Sequence, residues 1–381
     1  MADQVNALFE IMQKHEEQDF EQYYREHRYR AWMGTSPNNI IVRSNELDDH
    51  GEKVRFHFSD DLPVDNKGEG VLKGGESTYS VDHYDATPIW YREAITTTIA
   101  EDQRNLFNLA SRNRRKLRTW MKNMEHKYIL DAFEAMHVDD ANVRRAKVGA
   151  DLPRGRQKTY LECTLAERNA WLTANEDRAI FGNSTGNTVA GDIAASLATL
   201  DNTEALTLAG LYELKEFAEV DAWETGGSRP IEPVDSADGT GRCFFKMEVG
   251  PKTWKAFTSS EEVRQLHRDA LTRGEADHPL FQGGDFIVNG IMLRKNPRIR
   301  TIAGAGAAGA DVEPAYLFGR FALGMSDPKT MKYTRNKDDD YGFNTGIGVQ
   351  ALQGFDKMFY EGGARAGKQV NMINAFYGVA A

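Results

Sequence analysis

The chain has 381 residues, a formal net charge of -10, 40% hydrophobic and 27% charged residues, and 34 glycines. At about 150 residues per domain that leaves room for two or three domains, or for one with long excursions, and it excludes wholesale disorder, collagen and coiled coil. No stretch approaches the roughly 18 to 20 apolar residues that span a bilayer, and the start, MADQVNALFEIMQKHEEQD, is acidic where a signal peptide needs an apolar run, so neither a membrane protein nor a secreted one is expected.

Residues 5–32 place Val5, Leu8, Phe9, Met12, Phe20, Tyr23 and Tyr24 among many charges. The pattern is helical, but its apolar face is narrow, so the segment reads as an arm that packs on another domain or subunit. Pro37 and Asn38-Asn39 close it. Ile40 to Val42, and then Val54, Phe56 and Phe58, alternate with polar residues as half-buried strands do. From Asp60 to Asp85 runs a polar, glycine-rich stretch with almost nothing to anchor it, a length of loop that usually reaches for a partner.

Glu101 to Met136 has no Gly or Pro and carries an apolar stripe of Leu106, Leu109, Ala110, Leu117, Trp120, Met121, Met124 and Tyr128, which predicts the longest helix of the chain. At about 100° per residue, Arg104, Arg115, Arg118 and Lys122 fall on the opposite face as a basic ridge, open to solvent or to phosphate. Glu101 to Lys158 holds 14 Lys and Arg against 8 Asp and Glu, a balance of +6 that leaves -16 for the remainder. Residues 139–160 are polar, basic and broken by Gly149, Pro153 and Gly155, as in an exposed connection.

Leu206 to Val220 reads as a helix, Cys243 to Val249 as a buried strand, and a helix starts at Pro251. Ser259 and Glu262 are placed as a capping box for a further helix that stops at Gly274. Phe286 to Leu293 is predicted to be one strand, and the glycine-rich tail ends in a strand-like VNMINAFYGV.

Motifs that carry chemistry fail on their context. Gly304, Gly306 and Gly309 spell G-x-G-x-x-G, but Pro314 follows closely and the βαβ unit of a dinucleotide site has no room. His267-Arg268-Asp269 resembles a kinase catalytic loop without its Asn, and Asp338 to Asp340 lack the Gly and Glu of a calcium-binding hand. Cys163 and Cys243 lie far apart, and the nine histidines form no ligand pair. No catalytic residue, cofactor or metal site is expected.

Three blocks then carry a resemblance. EKVRFHFSDDLPVDNKGEGVLKGGEST, with Phe58, Leu62, Gly68, Gly70, Leu72, Gly74, Gly75 and Glu76, resembles the opening of the phage capsid-like family, the major coat proteins typified by podophage N-four. HPLFQGGDFIVNGIMLRKNPRI, with Pro279, Leu280, Phe281, Gly283, Gly290 and Ile291, and GIGVQALQG, with Gln350-Ala351, are similar to two later segments of that family. His278 stands where the family more often has Asn.

The resemblance implies an α+β, Hong Kong 97-like major capsid protein fold. It would consist of an N-terminal arm (1–36), an extended loop with flanking strands (37–95), a peripheral domain with spine helix 101–136 and the basic connection (96–180), an axial domain (181–350), and a C-terminal return to the peripheral domain (351–381). It further implies self-assembly through hexamers and pentamers into an icosahedral shell around double-stranded DNA of a tailed phage, with portal, scaffolding and decoration proteins as partners. Assembly is expected in the host cytoplasm, and the virion is the final location.

On this reading Arg104, Arg115, Arg118 and Lys122 would face the DNA without sequence specificity, and Lys67, Gly68, Gly70, Leu72, Lys73, Gly74 and Gly75 would lie over a neighbouring subunit. A nucleotide-binding enzyme built on the Gly304 loop and the shell of a cellular nanocompartment are the alternatives.

Overall fold

The computed structural model describes residues 28–45, 53–59, 73, 76, 81–104, 109–136, 157–220, 229–235, 243–271, 286–339, 343–361 and 365–379. A short turn at Arg30–Trp32 leads into β1 (Met33–Gly34) and β2 (Ile41–Ser44). β3 (Val54–Ser59) and β4 (Val81–Ala86) form an antiparallel pair, and β5 (Ile89–Thr98) runs into α1 (Ile99–Arg104) and the long helix α2 (Leu109–Phe133). Next come α3 (Leu165–Ala174), β6 (Ala179–Phe181), α4 (Ile193–Ala198), α5 (Leu208–Glu219), β7 (Val234–Asp235) and β8 (Cys243–Val249). The chain continues through α6 (Pro251–Ser259), α7 (Glu261–Leu271), β9 (Phe286–Val288), β10 (Ile291–Lys295), β11 (Asp311–Phe318), β12 (Leu323–Asp339), β13 (Asn344–Lys357) and β14 (Met372–Val379).

Two mixed sheets organise these elements. The first has the order β1-β2-β12-β13-β5, and α2 lies against β13 and β5. Its core joins Leu117, Met121, Ile129 and Phe133 of α2 to Met325, Tyr333 and Val349 of the sheet. The second has the order β6-β14-β11-β8-β10-β9, with β7 also paired to β8. There Leu211, Leu214 and Phe257 cover Met247, Leu293, Leu317 and Tyr377. Leu323–Ser326 of β12 pair with β2 and Asn344–Gln353 of β13 with β5, so these strands, largely in the segment expected as axial, belong to the sheet under the spine helix.

The helix read from Glu101 to Met136 is shorter in the structure. Its described long part ends at Phe133, because the next residues find backbone partners elsewhere: Met136 N donates to Lys158 O (3.0 Å) and Tyr160 N to Glu134 O (3.0 Å), with Ala135 bridged to Thr159. Lys357 seals this end. Its buried Nζ donates to Ala135 O (2.8 Å) and Gln369 Oε1 (3.2 Å), a cation at the negative pole of the helix, although burial lowers its pKa to about 7.

Three further expectations are corrected. Phe286 to Leu293 is a hairpin, β9 and β10, because Asn289 (φ 49°) and Gly290 (φ 78°) supply the two left-handed residues of a tight turn. The cap of α7 is Ser260, whose Oγ accepts from Val263 N (3.4 Å), while Ser259 is the last residue of α6. The polar stretch to Asp85 closes earlier, since Val81–Ala86 is strand β4. By contrast α5, β8, the start of α6 and β14 lie where the residue patterns put them. At Gly324 on β12 a side chain would meet Met358 and Phe56, so only glycine lets the β3–β4 pair sit this close.

Glu125 of α2 is buried against Asp327 of β12. Arg43 pairs with Asp327 (2.5 Å) and Gln353 Nε2 donates to it (3.2 Å), while at Glu125 burial first, then the Asp327 charge, pushes the pKa to about 8 against the pull of a hydrogen bond with Gln353. A carboxyl whose folded pKa lies above its unfolded 4.5 binds more protons when folded, so stability falls as pH rises from about 4.5 to about 8. Chemical denaturation of Glu125→Gln across that window should show a flatter pH dependence than the parent and a more stable protein at the alkaline end. An unchanged slope would contradict this protonation state.

Candidate assembly and genome-facing surfaces

α2 carries two carboxylates, Glu125 and Asp131, and both are buried. Its exposed residues among those described are Ser111, Arg112, Arg115, Lys116, Thr119, Asn123 and Lys127. The outward face of the helix is therefore cationic without a compensating acid of its own. Of the expected ridge, Arg115 is exposed, while Arg118 and Lys122 are half-buried on its flank. Arg104 is exposed on α1, separated from α2 by residues outside the description. Arg112, Lys116 and Lys127 were missed, although the same helical angle puts them nearer the centre of the exposed arc. Arg114 is used otherwise, its guanidinium 5.8 Å from the centre of the Tyr333 ring.

Of the loop residues expected to reach a neighbour, Lys73 is described, in an exposed turn; Lys67, Gly68, Gly70, Leu72, Gly74 and Gly75 lie outside the described residues. The root of this loop is anchored. Arg55 faces Asp85 across the β3–β4 ladder and holds it with two hydrogen bonds (2.8 and 3.1 Å), Lys53 adds a third (3.4 Å), and hydrogen bonding by Arg55 leads the forces that lower the Asp85 pKa. Phe56 and Phe58 pack on Phe321, and Phe58 also on Tyr360. His83, Asp85 and Glu361 bring their ligand atoms within 4.8 Å of one another, but Asp85 already serves Arg55 and Lys53, whose charges oppose a metal ion there.

The arm expectation needs correction at its end. Residues 28–36 are part of the folded subunit, with Tyr29 and Trp32 buried in the core beneath α2. Tyr29 meets Phe133 and His126 edge-on (5.6 and 5.2 Å) and donates from its hydroxyl to Glu248 Oε2 (3.0 Å). Asn296 Nδ2 (2.6 Å) and Arg28 Nε (3.4 Å) also donate to Glu248. Burial raises the Glu248 pKa against the pull of Arg28, and these donors explain how a fully buried carboxylate is held. The arm root thus ties α2 to β8. Farther along α2, Arg300 bonds Asp131 (2.7 Å) and Glu134 Oε1 (3.0 Å), and Arg298 donates to Asn123 (2.7 Å).

The Gly304 loop offers no phosphate cradle of the dinucleotide type. Ala307–Gly309 is a single tight turn with Ala308 and Gly309 at positive φ (53° and 81°), and β11 follows at Asp311, so no helix N-terminus faces the glycines.

A model of the phage capsid protein family matches residues 6–376. The fold is similar to that in the cyanophage Pam1 capsid asymmetric unit, at 21% identity over 94% of this chain and 93% of that one, with a TM-score of 0.78. It is also similar to the capsid of Ralstonia phage GP4 (15% identity, 92% and 90% covered, TM-score 0.67) and to the acidic stable capsid structure of Helicobacter pylori bacteriophage KHP30 (11%, 93% and 92%, 0.62). No curated protein matches the sequence.

A long helix across a five-stranded sheet, the antiparallel β3–β4 pair and a second mixed sheet make up the Hong Kong 97-like fold of phage major capsid proteins. The chain belongs to the phage capsid protein family, and its role is that of a major capsid protein forming the shell of the virion.

Proposed function

We propose that the protein assembles through hexamers and pentamers into the icosahedral shell of a tailed phage and that the exposed face of α2 lines the interior against packaged double-stranded DNA. The observation that carries this reading is the cationic arc of Arg112, Arg115, Lys116 and Lys127, flanked by Arg118 and Lys122, on a helix whose two carboxylates are both buried. A subunit of net charge -10 must confine a polyanion, and with a screening length of about 10 Å at 0.1 M salt only cations next to the phosphates offset the repulsion. Arg104 on α1 adds to the same charge. The contacts are independent of sequence and weaken as salt rises.

The loop through Lys67, Gly68, Gly70, Leu72, Lys73, Gly74 and Gly75 extends over a neighbouring subunit, anchored at its root by the Arg55–Asp85 pair. Portal, scaffolding and decoration proteins complete the particle, which assembles in the host cytoplasm. The function is structural, with no catalytic step.

Changing Arg112, Arg115, Lys116 and Lys127 together to Gln tests the inward face. Shells should form and hold less DNA, and the DNA held should dissociate at lower salt on opening. Shells with an undiminished genome would contradict the assignment. Failure to form shells even without DNA would show that the arc is a contact between subunits.

A further inference from the structure

The lysine that closes the end of α2 has a neighbour whose chemistry the fold leaves unused. Lys357 is the last residue of β13 and is fully buried, and Asn374 lies in β14, so the two stand on different sheets. Nζ of Lys357 is 3.5 Å from Oδ1 of Asn374, at the outer limit of a hydrogen bond, which puts the amine within reach of the carboxamide carbon that carries this oxygen. Burial lowers the lysine pKa to about 7 against the pull of Glu134, so a large share of chains at neutral pH hold the uncharged, nucleophilic amine.

Two carboxamides touch Nζ, and they are not equivalent. Gln369 Oε1 accepts from it (3.2 Å), but Gln369 Nε2, the group that would have to leave, is held by Arg178 O (3.1 Å), and Gln369 N donates to Asn175 Oδ1 (2.8 Å). Asn374 Nδ2 has no acceptor among the described residues. Asn374 instead borders a cavity whose empty space, including its open mouth, is about 320 Å³.

Glu134 stands at the wall of the same cavity, with Tyr160, Tyr316 and Phe376 as apolar neighbours. Arg300 holds both of its carboxyl oxygens (3.0 and 2.5 Å), which fixes the group in place, while burial raises its pKa against that pull. A carboxyl raised towards neutrality and shielded from bulk water is suited to carrying a proton between two nitrogens.

We propose that Lys357 and Asn374 become joined by an isopeptide bond within the folded subunit. The lone pair of Nζ attacks Cγ of Asn374; the Nζ–Cγ bond forms, the Cγ–Nδ2 bond breaks, and Glu134 carries a proton from Nζ to the departing Nδ2, which leaves as ammonia through the cavity. An amine and a carboxamide become an amide and ammonia, so the step balances without oxidant or reductant. The new amide keeps one N–H for the carbonyl of Ala135, and the end of α2 stays capped. The bond ties the first sheet to the second inside one chain, and it does not depend on how copies assemble.

The test is the mass of the purified full-length chain under denaturing conditions, followed by proteolysis. The intact mass should fall short of that of the sequence by one ammonia, and a branched peptide should join the fragment bearing Lys357 to the fragment bearing Asn374. This measurement on the parent chain requires no variant to fold. Asn374→Leu and Lys357→Met should each show the full mass of their own sequence. Glu134→Gln keeps the reacting pair and should slow linkage after refolding by at least about a hundredfold, the loss expected when a positioned proton carrier is removed. A parent chain of full mass would overturn the proposal. So would loss of ammonia without a branched peptide, the mark of an asparagine closing on its own backbone, or a branch at Gln369 in place of Asn374. Linkage at the parental rate in Glu134→Gln would overturn the proton path.

Discussion

Replacing Tyr29 by alanine is expected to destabilise the unassembled subunit by about 4 kcal/mol, the largest single-residue effect at the junction of arm, spine helix and second sheet. The ring is fully buried between Trp32, Phe133 and His126, so its loss opens a cavity in the middle of the core under α2. The hydroxyl is one of three donors to the buried carboxylate of Glu248, and removing it leaves that charge short of a partner. Tyr29→Phe separates the two contributions, keeping the ring and costing about 1 to 3 kcal/mol. Urea unfolding of both variants measures them. A cost under about 1 kcal/mol for alanine would mean that the arm root is a surface attachment, as residues 1–36 first suggested.

Deleting Asn66 to Gly75 should have the opposite profile, with assembly abolished and the subunit still folded. The root of the loop is fixed by cross-strand pairing from Val54↔Ala86 to Ser59↔Val81 and by the aromatic contacts of Phe56 and Phe58, none of which lies in the deleted stretch. The deleted residues, NKGEGVLKGG, hold two apolar side chains, Val71 and Leu72, and contribute little to a core. On the proposed reading they serve in contact with another copy of the chain. Sedimentation of the purified variant reads assembly, and thermal melting reads folding; normal particles would refute the role given to the loop, and a collapsed melting temperature would place the loop in the subunit core.

What the sequence revealed follows the range of the interactions. Elements set by local pattern, such as α5 from Leu208, Leu211 and Leu214 or β8 from CFFKMEV, were readable. The hairpin at Asn289-Gly290 carried its own turn signal and could have been read, since Asn-Gly between apolar runs favours the two positive φ angles found there. β12 was hidden for a physical reason: its register shifts between Ser326 and Lys329, between Lys329 and Lys332 and between Asn336 and Asp339, and polar Ser326 and Asp327 stand buried where an amphipathic strand would carry apolar residues.

Tyr29 and Trp32 looked like the end of a charged arm because their partners, Glu248, Asn296 and Phe318, are more than two hundred residues away. The basic face of α2 was half legible. Helical spacing gave its direction, but which cations stand at its centre depends on the tilt of α2 against β13 and β5, and only the fold sets that.

The central claim, a shell subunit whose spine helix turns its cationic face to the genome, is tested most directly by cryo-electron microscopy of the particles that the full-length chain forms. Closed icosahedral shells are expected, with α2 at the inner surface, Arg112, Arg115, Lys116 and Lys127 directed at the lumen, and density for nucleic acid beside them. Discrete monomers or small oligomers in place of shells, or shells with these four residues on the outer surface, would contradict it.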